Sequence, residues 1–308
     1  VPPTIVSQYP DGTYQLGPTS RNPLAAARES GYTRDNNYQG IINSSLNWRP
    51  LEGLKLSGRL SLREDFEEGK TYNNNYTFKD YDSHATLLTW KSSLNQWAPK
   101  EEYVNLQATA DYEKKLARHY FHLLLGYSQE HDTYKDLSAS RTDFYSNDLQ
   151  ELNVGSDVGK NNAGSMREWA LRSVFGRLNY SWNDKYLFEA NFRYDGSSRF
   201  AQGNRWGFFP SFSAGYRISE ETFWQPLKPV VNEFKIRGSW GQLGNQDIDL
   251  YQFIQTITLG QNYTFGGQLA NGAAQVDLAN KLISWEATTA SNIGFDMSLL
   301  NNRITVTA

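Results

Sequence analysis

The sequence predicts an all-β protein: an antiparallel meander of about ten strands, forming part of a large transmembrane β-barrel with long extracellular loops and short periplasmic turns. Three observations carry this expectation. Apolar and polar residues alternate strictly over short runs, as they must when a sheet has two different faces. Aromatic residues crowd the ends of the apolar faces, where a membrane–water boundary would lie. Short and long links between the runs alternate without a parity error, which fits turns at one end of a barrel and loops at the other. Alternation taken alone also suits a water-soluble sheet protein. In a sandwich, however, the apolar face is an inner one and is usually rich in Val, Ile and Leu.

Composition narrows the class. The chain has 308 residues and a formal net charge of −3, so no basic field points to nucleic acid. There are 19 Tyr, 16 Phe and 9 Trp. A mean hydropathy of −0.65 has the value of a soluble protein, but half of every barrel strand faces a polar lumen. No run of 18 apolar residues exists, so no transmembrane helix is expected. The absence of cysteine excludes disulfides and thiolate chemistry. The N-terminus lacks the basic start and apolar core of a secretory signal. The last residues, Ile304 to Ala308, stop inside an alternating run, so the chain reads as an internal piece of a longer protein.

In chain order, residues 1–35 are rich in Pro, Gly, Asn and Ser and read as a loop-like lead-in with room for short β pieces. Tyr38 to Trp48 alternates, and Arg49 to Gly53 turns. Leu54, Leu56, Leu60 and Leu62 then oppose Lys55, Arg59 and Arg63. Residues 67–102 read as a long polar and aromatic loop, with a local hairpin near Thr86 to Trp90. Val104 to Ala110 and Phe121 to Tyr127 make two strands around a turn at Glu113 to Arg118. Residues 132–167 read as a second long loop. Val174 to Trp182 and Tyr186 to Tyr194 form a hairpin across Asn183-Asp184. Phe208 to Tyr216 and Phe234 to Trp240 repeat the design, separated by Ser219 to Gln225, where a Ser precedes Glu-Glu as at the start of a short helix. Residues 244–284 read as a third long loop with a strand at Leu250 to Thr258. Asn292 to Leu300 and the run from Ile304 close the pattern. The alternation sends Leu54, Leu56, Leu60, Phe188, Phe192, Phe212 and Ile236 to one face, expected to meet lipid. Lys55, Arg59, Glu189, Arg193 and Arg237 go to the other, expected to line the lumen.

Three runs, GRLNYSWNDKYLFEANFRYDGSSRF, RWGFFPSFSAGYRISEETFW and FKIRGSWGQLGNQDI, follow one another between Gly176 and Ile248. Their order and wording resemble the barrel of SusC/RagA-type TonB-linked outer-membrane proteins. The resemblance is carried by Asp195, Gly196, Ser197, Ser198, Arg199 and Phe200 of the DGSSRF loop, by Pro210 and Ser211 of the strand start, and by Gly241, Gly244 and Asn245 of the strand end. Weaker similarity extends back to about Asn36 and forward to the end of the chain. The resemblance implies that residues 1–308 are a partial receptor barrel, with plug domain and closing strands absent from this sequence. It implies an importer in the outer membrane of a Gram-negative bacterium. Its partners would be the TonB complex, reached through the missing N-terminal region, a SusD-like surface lipoprotein, outer-membrane lipid, and an oligomeric glycan or peptide nutrient. Neither covalent chemistry nor a cofactor is implied. An outer-membrane barrel enzyme and a soluble carbohydrate-binding β domain are the competing readings.

The residues offer little chemistry of their own. His119 and His122 are three apart, which on a strand places them on opposite faces and forbids joint chelation. Together with His84 and His131 they read as interface or loop residues, and no metal or catalytic site is expected. The pairs Glu67-Glu68, Asp80/Asp82 and Asp247/Asp249 lack the ligand density of a calcium loop. Ser197-Ser198 has no G-x-S-x-G setting and no assignable His partner. The glycines of Gly241 to Asn245 end a strand and open no helix, so they do not read as a phosphate loop. The loop aromatics Tyr72, Tyr76, Tyr81, Trp90 and Trp97 are the candidate substrate contacts. They can stack on a sugar ring or pack a large loop, and packing is the plainer reading.

Overall fold

In the computed structural model, which describes residues 6–16, 22–80 and 82–308, nearly every long element is a strand. The strands are β1 (Tyr14–Gln15), β2 (Tyr32–Leu51), β3 (Leu54–Asn73), β4 (Tyr76–Lys79), β5 (Thr86–Trp90), β6 (Ser93–Trp97), β7 (Lys100–Leu116), β8 (His119–Thr142) and β9 (Asn161–Trp182). They continue as β10 (Tyr186–Ser197), β11 (Trp206–Arg217), β12 (Val231–Asn245), β13 (Thr258–Leu259), β14 (Tyr263–Phe265), β15 (Gln268–Ala270), β16 (Ala273–Ala274), β17 (Glu286–Leu299) and β18 (Ile304–Thr307). One short helix, α1 (Pro23–Glu29), precedes β2.

Eleven strands share one sheet, hydrogen-bonded in the order β18-β17-β12-β11-β10-β9-β8-β6-β3-β2, with β7 pairing β3 and β8. β6 and β7 hold successive places between the same two neighbours, and Pro99 separates them. Ladder bonds continue through the break, from Ala98 N–H to the Leu137 carbonyl (2.9 Å) and from Glu67 N–H to the Pro99 carbonyl (3.1 Å). Proline has no N–H to donate and interrupts the ladder for one step only. Counting β6 and β7 as one traverse makes the sheet a meander of ten, as expected from the alternation.

Several sequence expectations need correction. The described part of the lead-in holds a helix and a short strand: Asn22 caps α1 by accepting from the Leu24 and Ala25 amides (3.0 and 3.2 Å), and β1 pairs in parallel with β4. The loops read at 67–102 and 132–167 are much shorter, because β3 runs on to Asn73 and β8 to Thr142, while β9 begins at Asn161. Strands of 20 to 24 residues exceed the ~9–11 that cross a bilayer. Their outer halves, such as EDFEEGKTYN of β3, carry charged and polar residues at positions of both parities. Hydropathy therefore loses its period there while backbone pairing continues. The strand expected at 250–258 is absent; turns fill most of it, and only small hairpin pieces follow. The helical turn at Ser219–Gln225 is present as two 3-10 turns.

The chain divides into two compact units. Residues 1–41, 63–102 and 133–167 make the first. It holds two small cores, one of Tyr14, Ala25 and Phe78, the other of Tyr72, Leu94 and Phe144. Burial and a hydrogen bond to Glu29 (2.6 Å) push the Tyr14 hydroxyl up to about 12. Residues 42–62, 103–132 and 168–308 make the second unit, which carries the central hairpins.

Candidate functional site

The registers of β9 to β12 and β17 turn the sequence alternation into two surfaces. Residues directly opposite each other on neighbouring strands share a face. Trp182, Tyr186, Tyr216, Ile236 and Phe295 form one row across five strands; Tyr180, Phe188, Ala214, Gly238 and Ile293 form the next. On the opposite face the rows are Asn179, Glu189, Ser213, Ser239 and Asn292, then Arg177, Asn191, Ser211, Gly241 and Ala290. One surface is apolar and aromatic, the other polar, and Pro210 sits on the apolar one opposite Phe192.

Aromatic rings mark both ends of the apolar face. Trp182, Tyr186 and Tyr216 stack in line at the turn end, with centroids 5.3 and 4.8 Å apart. Tyr194 and Trp206 stack at 4.8 Å at the other end. Tyr186 and Tyr194 are eight residues apart, about 26 Å along a strand, close to the ~25 Å apolar band of an outer-membrane barrel.

The polar face is a hydrogen-bonded ladder. Glu189 accepts from Asn179 (2.6 Å) and Asn191 (2.8 Å), and Arg177 donates to Asn191 (2.7 Å). Asp296 pairs with Lys235 (3.3 Å) and Arg237 (3.2 Å). A groove of about 610 Å³ opens here, with Asn179, Glu189, Ser213, Arg217 and Arg237 in its lining. Every acid in the ladder is held by amides or cations. The surface is suited to carrying a hydrated polar solute past many weak partners, and no nucleophile–base pair stands out on it.

The motif residues form a structural node at the end of β10. Ser197 and Phe200 are fully buried and Asp195 nearly so. Asp195 pairs with Arg193 (3.0 Å), which also reaches the buried Ser173 hydroxyl (3.1 Å). Ser198 ties the loop to β9 twice: its N–H donates to the Ala170 carbonyl (2.9 Å), and its hydroxyl accepts from the Ala170 N–H (2.8 Å). Ser197 Oγ accepts from the Arg199 N–H (3.1 Å), and the Arg199 guanidinium reaches the Ile248 carbonyl and lies over Trp169. Phe200 packs on Trp285 (5.4 Å), which also meets Phe209 (5.2 Å) and donates to the Arg205 carbonyl (2.8 Å). A Cβ on Gly244 would lie 2.1 Å from the Phe209 ring, and one on Gly241 2.7 Å from Ser211. Asn245 donates to Glu286 (3.2 Å) and accepts from the Asp247 amide (2.9 Å), closing a turn. These residues hold a strand end together, and their hydroxyls are used in that work. Phe209 and Trp285 are the members that alternation does not single out; the doubled Phe208-Phe209, which puts a ring on each face, is their trace in the sequence.

The loop aromatics separate. Tyr72 is buried against Phe144 (5.4 Å), so its ring has no open face, and burial raises its hydroxyl pKa. Trp97 lies over Gly69 and donates to Glu67 (2.7 Å). Tyr76 stacks on Trp90 (6.3 Å, 14°), and Trp90 keeps half its surface open. Tyr81 lies outside the described residues. The histidines are scattered: His119 bonds Tyr180 (2.9 Å), His122 bonds Asp111 (2.9 Å), and His84 packs near Tyr9 (5.2 Å). Among the described residues no group of three potential ligands is placed to hold a metal. Asp80 closes its own turn with Ser83, which holds its carboxyl below the usual range.

With this geometry the chain has clear relatives. Residues 4–308 match the family described as TonB dependent receptor-like, beta-barrel. The chain is 30% identical over 305 residues to the TonB-dependent receptor SusC of Bacteroides thetaiotaomicron, and 31% identical over 300 residues to the TonB-dependent receptor P3 of Formosa agariphila. Each alignment covers 96% of this chain and 29% of the relative. Among solved structures, the RagAB peptide transporter superposes with a TM-score of 0.81 at 22% identity, covering 96% of this chain and 32% of that one. The chain thus spans less than a third of the length of these proteins. It belongs to the TonB-dependent receptor-like β-barrel family of the outer membrane, and its two-faced sheet is a stretch of that barrel's wall.

Proposed function

We propose that this chain forms part of the conduit of a TonB-dependent importer that takes up an oligomeric nutrient, an oligosaccharide or a peptide, beneath a SusD-like surface lipoprotein. The observation that carries the reading is the polar face. Its rows are polar across β9 to β12 and β17, with side-chain hydrogen bonds linking β9 to β10, β10 to β11 and β12 to β17, behind an apolar face girdled at both ends. Family membership supports the transport class, and the SusC relative supports the SusC-type branch. The named relatives are receptors, which favours a transporter over an outer-membrane enzyme. Gating and energy coupling would come from a plug domain and TonB. Of the described loop aromatics, Trp90, with Tyr76 behind it, keeps half its surface open for a substrate.

The intact protein should import its oligomer only while TonB and the proton gradient are present. Uptake by cells carrying the intact protein, measured with and without TonB, checks this. Uptake that persists unchanged without TonB would replace the importer reading with a passive pore.

A further inference from the structure

Most connections at the turn end of the sheet are tight. Glu52-Gly53, Ala117-Arg118 and Asn183-Asp184-Lys185 each join two strands directly. Residues 218–230, between β11 and β12, are much longer and differ in character. Phe223 is 67% exposed, Leu227 50% and Val230 56%, and the two prolines between them, Pro226 and Pro229, are also exposed. In a water-facing loop this density of open apolar side chains is unexpected.

The segment has a defined seat. Glu221 Oε1 accepts from the Tyr186 and Tyr216 hydroxyls, both at 3.1 Å. Those two rings belong to the apolar face by register and stack on each other. The Trp224 ring lies parallel to Phe234 at 5.5 Å, and its Nε1 donates to the Val231 carbonyl (3.2 Å). The segment therefore folds under the apolar face and not under the polar one. Its charges are matched at home, Glu221 with Lys185 (3.1 Å) and Glu220 with Lys228 (3.3 Å). What remains open is mostly apolar, Phe223, Pro226, Leu227, Pro229 and Val230 beside only Thr222 and Gln225, and it continues the ring row of Trp182, Tyr186 and Tyr216.

We propose that residues 218–230 form a membrane foot, seated in the headgroup layer of the periplasmic leaflet with Phe223 and Leu227 inserted among phospholipid acyl chains. The inference rests on the outer-membrane barrel reading and adds a lipid contact outside the strands. The occupant follows from continuity: the foot extends the lipid-facing girdle, where aromatic and apolar residues with short polar anchors favour the interface. Because the acidic residues are paired internally, the insertion is hydrophobic and needs no anionic lipid.

The test uses the intact protein in phosphatidylethanolamine–phosphatidylglycerol vesicles, with spin labels on Phe223→Cys, Leu227→Cys, Asn301→Cys and Phe188→Cys. Heat-modifiable gel mobility verifies that each variant is folded. Accessibility to oxygen is compared with accessibility to a water-soluble nickel chelate. The foot predicts oxygen-to-nickel ratios at 223 and 227 well above that at 301, approaching the mid-strand value at 188, and unchanged by salt. Ratios at 223 and 227 equal to that at 301, with 188 still lipid-like, would overturn the foot alone. Labels at 223 and 227 shielded from both reagents would also overturn it, pointing to a covering protein. An aqueous label at 188 would overturn the barrel reading itself.

Discussion

Gly244 shows how a single residue serves the wall. A methyl group there would lie 2.1 Å from the tip of the Phe209 ring, which packs edge-on against Trp285 and would have to shift. Gly244→Ala is expected to destabilise the barrel by roughly 1–3 kcal/mol, the cost of overpacking, as read by urea unfolding in vesicles. A variant as stable as the parent would show that the node is loosely packed. Glu221 tests a second residue-level claim. The hydrogen bond from Lys185 and those from Tyr216 and Tyr186 hold its carboxyl below the ordinary value. A carboxyl whose pKa is depressed in the folded state contributes stability above its unfolded value. That contribution is lost as pH falls through the folded value, below about 4.5. Glu221→Gln should therefore lose less stability than the parent between about pH 5 and pH 3. Equal losses on acid titration of the two proteins would show that Glu221 is not held this way.

At the scale of elements, turns and strand lengths were legible to different degrees. Asn183 and Asp184 both adopt left-handed backbone, with φ of 53° and 54°, and the Lys185 N–H returns to the Trp182 carbonyl (3.0 Å). This is a tight turn of residues 183–185 whose left-handed backbone matches the twist of a hairpin, and an Asn-Asp pair flanked by alternating runs announces it. Val at position 183 would strain that backbone. Asn183→Val should cost roughly 1–2 kcal/mol, measurable as a lower unfolding midpoint, with the fold retained. The outer halves of β3 and β8 were not legible, since charged and polar residues fall at positions of both parities and no hydropathic period survives. The pairing of β6 with β3 and β8 was hidden for the same reason, with Pro99 adding a break that resembles a loop boundary. The lead-in was misread because a seven-residue helix and a two-residue strand gain order from Tyr14, Ala25 and Phe78 packing together, a contact between distant residues.

For the molecule as a whole, β2 and β18 end the hydrogen-bonded order of the sheet among the described residues, and apolar side chains such as Leu46, Trp48, Phe188 and Phe212 are exposed. Unpaired edges and large apolar surfaces both drive association in water. The 308-residue chain expressed alone should aggregate without detergent, as scored by light scattering; a monodisperse soluble monomer would contradict the membrane-wall reading. By itself the sequence determined the two faces, the turn positions and the order of the meander. All three are local: alternation needs only the period of a strand, and tight turns need only residues that tolerate left-handed backbone. It also identified the family, because the motif runs are contiguous. The tertiary structure alone decided that DGSSRF is a packed node with Phe209, Trp285 and Gly244, that Tyr72 is buried while Trp90 stays open, and that residues 218–230 fold under the apolar face. Each of those depends on which strands become neighbours, and no local pattern encodes a contact between residues so far apart along the chain.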